Sequence, residues 1–216
     1  MKTARQESLR FLLPLLLLLV GSFSLSSLLP AALAWIVTGL LALACAFVLY
    51  FFRDPYRASD ADEAVLTSAA DGLVTHVERL DQSPFDLGPC LRVSVFLSVF
   101  DVHVNRVPWP GIIKKTVHTP GKFLDVRDEA SHLANEHQDW LLETGRGPVV
   151  IRQIAGLIAR RIVPWKKAGD EVYRGEHLGM IRFGSRTDLF LPVDCSVLVQ
   201  VGDRVKGAET PIARWP

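Results

Sequence analysis

Three stretches of this 216-residue chain carry side chains that could do chemistry. The first is GMIRFGSRTDLFLP, residues 179–192, which reads as a short hairpin with Gly184-Ser185 between Arg182 and Arg186. A serine hydroxyl can attack the carbonyl of the residue before it, turning an amide into an ester that β-elimination then breaks. Glycine in front leaves that carbonyl unshielded and tolerates strained backbone. An ordinary surface turn would use the same residues. The second is FLSVFDVHVNRVPWPG, residues 96–111. Val93, Val95, Leu97 and Val99 alternate, and an unbroken strand would put Asp101, His103 and Asn105 on the same face, as the floor of a pocket. A strand end emerging from the core would look identical. The third is SAADGLV, residues 68–74, where Asp71-Gly72 is a turn signal. Asp71 either bonds its own turn or serves a reaction.

Other chemistries find little support. No GxGxxG, Walker loop, HExxH or GxSxG is present, and no histidine pair has a ligand spacing, so no metal is expected. Lys and Arg number 24 against 23 acidic residues, a net charge of +1 that makes no case for nucleic acid. Cys45, Cys90 and Cys195 match neither a zinc pattern nor a CxxC pair and read as small buried hydrophobes in a reducing compartment.

The positioning elements fall into two parts. Phe11 to Phe52 is a 42-residue run without a charge or a histidine, twice the roughly 20 residues that cross a bilayer once. Gly21, the serines after it and Pro30 divide the run. Helices over about 11–28 and 31–52 then form a transmembrane hairpin, with residues 1–57 as anchor and 58–216 as a globular domain. Lys2, Arg5 and Arg10 precede the hairpin, and Arg53 and Arg57 follow it. The positive-inside rule therefore places both ends, and the globular domain, on the cytoplasmic face of the cell membrane. FFRDPYR leaves almost no linker. The doublets Lys114-Lys115, Arg160-Arg161 and Lys166-Lys167 would suit an anionic lipid surface.

Beyond residue 60, short β-branched runs are broken by Gly, Pro and Asp, which predicts a mainly β domain. One helical interval is expected near Asp128–Trp140, although the polar NEHQDW within it would also suit a loop. AGDEVYRGEHLGMI and VGDRVKGAETPIA repeat each other: a Gly-Asp turn, a short strand, a second glycine turn. Such punctuation recurs in barrel-sandwich hybrids, and the expected fold class is that type of β domain behind a two-helix hairpin.

Taken together, FFRDPYR, AADGLV, FLSVFDVHVNRVPWPG, HTPGKF and GEHLGMIRFGSRTDLFLP resemble the phosphatidylserine decarboxylase family in its short bacterial and archaeal form, from about residue 50 to the end. The resemblance implies a proenzyme that cuts itself between Gly184 and Ser185. The β chain 1–184 and α chain 185–216 would stay associated, and Ser185 would become a covalent pyruvoyl cofactor. Its ketone would form a Schiff base with the headgroup amine of phosphatidylserine and take up electrons as CO₂ leaves, giving phosphatidylethanolamine. His103 would deliver the proton, and Asp71 would help activate the serine. The longer bacterial form reads Asp-x-His-x-x-His, whereas here Arg106 holds the second histidine's place. An arginine stays protonated and cannot be that base. Either His118 of HTPGKF takes the role or His103 serves both steps, leaving Arg106, with Asn105, to bind substrate. Oligomeric state stays open, as does an ether lipid with the same headgroup. The competing reading is a membrane-anchored adaptor or carrier without catalysis, although no lysine lies at 182–188 to accept biotin or lipoate.

Overall fold

The computed structural model describes residues 3–26, 30–58, 61–126, 131–157, 161–182 and 185–216, without the His132 side chain. The chain divides into two units, Met1–Pro55 and Tyr56–Pro216. In the first, α1 (Ala4–Ser24) and α2 (Ala31–Phe51) pack on each other, with Ser22 Oγ 3.2 Å from Thr38 Oγ1 and the rings of Phe11 and Phe52 stacked at 5.5 Å. Both helices are long and apolar enough to cross a membrane. α1 starts seven residues earlier than the apolar run, because Thr3 and Gln6 form a capping box. Arg5 and Arg10 thus belong to the helix rather than to a flank. Residues 27–28 of the expected first helix lie outside the described residues.

The second unit is mainly β, as expected. Its strands are β1 (Val65–Thr67), β2 (Gly72–Leu80), β3 (Cys90–Leu97), β4 (Val104–Arg106), β5 (Gly111–Thr119), β6 (His137–Thr144), β7 (Gly147–Ala155), β8 (Arg161–Pro164), β9 (Glu171–Val172), β10 (His177–Arg182), β11 (Ser185–Pro192), β12 (Ser196–Val197), β13 (Arg204–Val205) and β14 (Pro211–Arg214). An eight-stranded sheet runs β13-β2-β3-β11-β7-β6-β5-β9, and two small sheets run β1-β14-β12 and β4-β10-β8. The paired strands are antiparallel. One face of the large sheet supplies Val93, Val95, Leu97, Trp140, Leu142, Ile151, Leu189 and Leu191 to a core shared with Leu66, Leu178 and Ile212 of the small sheets and with Trp215 just after β14. The opposite face carries buried ion pairs, Arg186 with Asp188 and Arg152 with Asp139. The three cysteines are buried and free, as the small-hydrophobe reading requires.

The repeat noticed in the sequence is half of a larger one. Gly169 donates to Ile113 O and Gly202 to Val74 O, while Ile113 and Val74 donate back to Asp170 O and Asp203 O. Asp170 accepts from Lys167 N, and Asp203 from Gln200 N, at 2.9 Å each. Further along, Gly175 donates to Val107 O and Ala208 to Ser68 O. Each Gly-Asp turn therefore docks on a partner segment, and the partner segments 68–74 and 107–113 match each other too. Strands β4 to β10 form one continuous copy. Strands β1–β3 with β11–β14 form the other, split copy, and the sheet order is correspondingly near-palindromic.

Two sequence expectations change. The interval Asp128–Trp140 is not one helix: α3 spans only Ser131–Ala134, and His137 onward is strand β6, paired on both sides. Its first three residues lie outside the described residues. Residues 179–192 are not a hairpin either. β10 pairs with β4 and β8, while β11 pairs with β3 and β7, so the two strands flanking Gly184-Ser185 belong to different sheets.

Candidate functional site

Ser185 is the first residue of β11, opposite Leu97 on β3 and Ala155 on β7. It shares parity with Leu189 and Leu191, so its side chain faces the core, and it is completely buried. Its Oγ has no hydrogen-bond partner among the described residues. A surface turn would leave this hydroxyl in water; here it is desolvated and unbonded, a costly state unless it has a use. Gly184 lies outside the described residues.

The strand carrying Asp101 and His103 is interrupted. β3 stops at Leu97, because Asp101 Oδ2 accepts from Ser98 N (2.8 Å) and Ser98 Oγ (2.7 Å) and closes a turn. Asp101 therefore leaves the core face, and it pairs with Arg204 at 3.3 Å. The chain re-enters before β4, and His103 is fully buried. Its Nδ1 lies 3.0 Å from Asp101 O, an atom that only accepts, so Nδ1 carries a hydrogen and, in the neutral imidazole, Nε2 carries the lone pair. His103 O accepts from Ile181 N, which ties the histidine to the strand leading toward Ser185.

Asp71 does not bond its own turn. Oδ1 accepts from Gly207 N at 2.8 Å, and Oδ2 from Arg57 Nη2 at 2.6 Å. Burial nevertheless raises its carboxyl above the ordinary value, against the pull of Gly207 and Arg57 and with a small push from Asp101. Gly72 packs so tightly that a Cβ would strike the carbonyl oxygen of Phe96.

Below Ser185, in the direction of the core, lies a polar cluster. Asn105 Oδ1 accepts from Gln153 Nε2 (2.5 Å) and Thr187 Oγ1 (3.0 Å). Asn105 Nδ2 and Gln153 Oε1 are buried and have no partner among the described residues. Thr187 follows Ser185 on the same face of β11, about 7 Å on, and its register partner on β7 is Gln153. Among the described residues the cluster thus leaves one donor and one acceptor unused, at the level of Thr187, two residues along β11 from Ser185. Gln153 and Thr187 were not singled out in the sequence, and Arg57 was read there only as a membrane-flanking charge; the register of β7 against β11 reveals the first two.

Arg106 is buried in β4, its Nη1 donating to Gly175 O at 3.1 Å and its N to Ala69 O at 2.8 Å. Its charge also reaches Glu209, whose carboxyl is lowered chiefly by Arg57. His118 is exposed on β5, three strands from β11 in the sheet. Ser185, His103, Asn105, Asp71 and Arg106 therefore gather around the start of β11 and the β3–β4 connection, while His118 stands apart in the sheet order.

The phosphatidylserine decarboxylase family model matches residues 44–213. Proteins named phosphatidylserine decarboxylase proenzyme are similar over most of their length. That of Pelobacter propionicus is 48% identical over 179 residues, covering 82% of this chain and 80% of its own. That of Desulfotalea psychrophila is 45% identical, covering 81% and 82%. That of Geotalea uraniireducens is 43% identical, covering 86% and 88%. A match this long, spanning every residue of the buried cluster around Ser185, makes this chain a member of the phosphatidylserine decarboxylase family.

Proposed function

We propose that this protein decarboxylates phosphatidylserine to phosphatidylethanolamine, using a pyruvoyl group that it makes from Ser185. The observation that carries the reading is the buried Ser185 Oγ, without a hydrogen-bond partner among the described residues, at the point where two sheets hand over the chain. Self-cleavage begins with attack of Oγ on the carbonyl carbon of Gly184. The C–N bond breaks, the amine of residue 185 takes a proton, and an ester joins the two halves. Removal of the Cα proton of residue 185 expels Gly184 as a carboxylate. The resulting enamine tautomerises, and water replaces its nitrogen, releasing ammonia and leaving a ketone.

The residues around Ser185 fit such a group: among the described residues, Asn105 Nδ2 is a buried donor without a partner, and a ketone oxygen can accept from it. That group supplies an electron sink for the carbon losing CO₂; the remaining work falls to the chain. His103 Nε2, its tautomer fixed by the Asp101 carbonyl, is the proton carrier. Asp71 activates the serine. Arg106 and Asn105 hold the anionic headgroup. The distant, exposed position of His118 favours His103 as the base for both steps. Strand β11 is bonded on both sides, to β3 and β7, which favours a 185–216 fragment that stays in place after the cut. The apolar helices would keep the enzyme at the bilayer that holds its substrate, with the globular unit on the cytoplasmic face of the cell membrane.

Intact mass under denaturing conditions tests the reading. Two fragments split before residue 185, the smaller blocked to amino-terminal sequencing, are expected. A single chain of 24.0 kDa would instead favour a non-catalytic anchored module.

A further inference from the structure

Arg57 ends the FFRDPYR motif, six residues beyond the end of α2. A basic residue there looks like a membrane-flanking charge, and such a residue would face water or headgroups. Instead its side chain is only 9% exposed. Nη2 lies 2.6 Å from Asp71 Oδ2, and Nη1 lies 2.9 Å from Glu209 Oε1. The other Asp71 oxygen is held by Gly207 N. Among the described residues, the charged groups acting on Asp71 are Arg57, Asp101 and Glu209, and of these Arg57 is the positive one. Asp101 has its own cation in Arg204. Without Arg57, Asp71 would keep one backbone donor and two acidic neighbours in a half-desolvated place, where a carboxylate is hard to maintain.

We propose that Arg57 is a positioning residue for self-cleavage: the segment leaving the membrane anchor supplies the cation that orients and holds the Asp71 carboxylate for its work on Ser185. This rests on the reading of Asp71 given above. The motif then has two jobs along seven residues. Its aromatic start completes the anchor, and its last residue completes the site. Lysine is a poor substitute, since Arg57 reaches Asp71 and Glu209 with two separate nitrogens.

The test follows chain splitting in pulse-labelled, full-length protein in membranes, from pH 5 to pH 9, for wild type, R57Q, R57K and D71N. The expected result is at least tenfold slower splitting for R57Q at pH 7. The acid limb of its pH–rate profile moves to higher pH, because the carboxylate loses its cation. R57K should restore the position of that limb and part of the rate. Splitting of R57Q at the wild-type rate overturns the proposal. So does a slowing that is equal at every pH, which would mark a merely structural arginine. D71N splitting like wild type would instead refute the reading of Asp71 on which the proposal rests.

Discussion

The continuous copy and the split copy of the β repeat share an architecture but not a chemistry. Gly111 matches Gly72: a Cβ at either would strike a strand carbonyl, of Glu143 or Phe96 respectively. The residue before each glycine differs, being Pro110 in the continuous copy and Asp71 in the split one. Both turns form, so the turn does not need the aspartate. Its carboxylate reaches across to Gly207 and Arg57 instead. A second difference lies at the strand ends. In the continuous copy, β6 passes into β7 through a tight turn, with Thr144 opposite Gly147. In the split copy the corresponding strands β3 and β11 have Leu97 opposite Ser185, and the whole other copy is inserted between them. Ser185 therefore sits at a seam, where a cut removes no strand pairing. The duplicated scaffold brackets this point on both sides; in the proposed mechanism the departures from the duplication, Asp71 and Ser185, supply the chemistry.

The largest effect should come from Asp71. D71N is expected to slow chain splitting by at least a hundredfold, whereas P110A, at the matching turn, should leave splitting within twofold of wild type, as followed by denaturing electrophoresis. Equal effects would erase the distinction between the copies. Next, G72A and G111A should both unfold more easily, each by about 2–4 kcal/mol, because the close approach is common to both turns; chemical denaturation measures this. A tolerated G72A beside a damaging G111A would break the proposed equivalence.

Arg106 sits between the copies' roles. R106A should weaken turnover of phosphatidylserine about tenfold while splitting proceeds, and an uncut R106A chain would assign the arginine to maturation instead. The smallest effect is on stability against pH. Burial raises the Asp71 carboxyl above 3.8, so the folded chain holds this proton more tightly than the unfolded one. Its contribution is present below pH 3.8 and is lost as pH rises through the folded value. The thermal midpoint of an S185A precursor should therefore fall relative to an S185A/D71N precursor over that interval, and a rise would contradict the assignment.

Much of this was legible in the sequence, and the failures have physical causes. The apolar run declared both helices, although the Thr3 cap, not hydrophobicity, sets where α1 begins. The Gly-Asp repeat was visible because turn residues are few in kind; its partner segments were not, because Asp71-Gly72 and Pro110-Gly111 share only the glycine that close packing demands. Alternation along 93–105 suggested one continuous face, yet Asp101 spends its carboxylate on Ser98 and breaks the strand. The strands around Gly184-Ser185 read as a hairpin, since adjacent strands usually pair, and no local signal announces a change of sheet. Gln153 was hidden for a similar reason: its hydrogen-bond partner Asn105 is 48 residues away in another sheet, and Thr187, its register partner, lies on β11.

The central claim is that residue 185 ends as a built-in ketone. Borohydride reduction of the purified enzyme during turnover of phosphatidylserine, followed by mass spectrometry of the 185–216 fragment, tests it directly. The account predicts a fragment heavier by one reduced lipid-amine adduct at its first residue, absent from S185A. An unmodified fragment still beginning with serine, in an enzyme that turns substrate over, would contradict it.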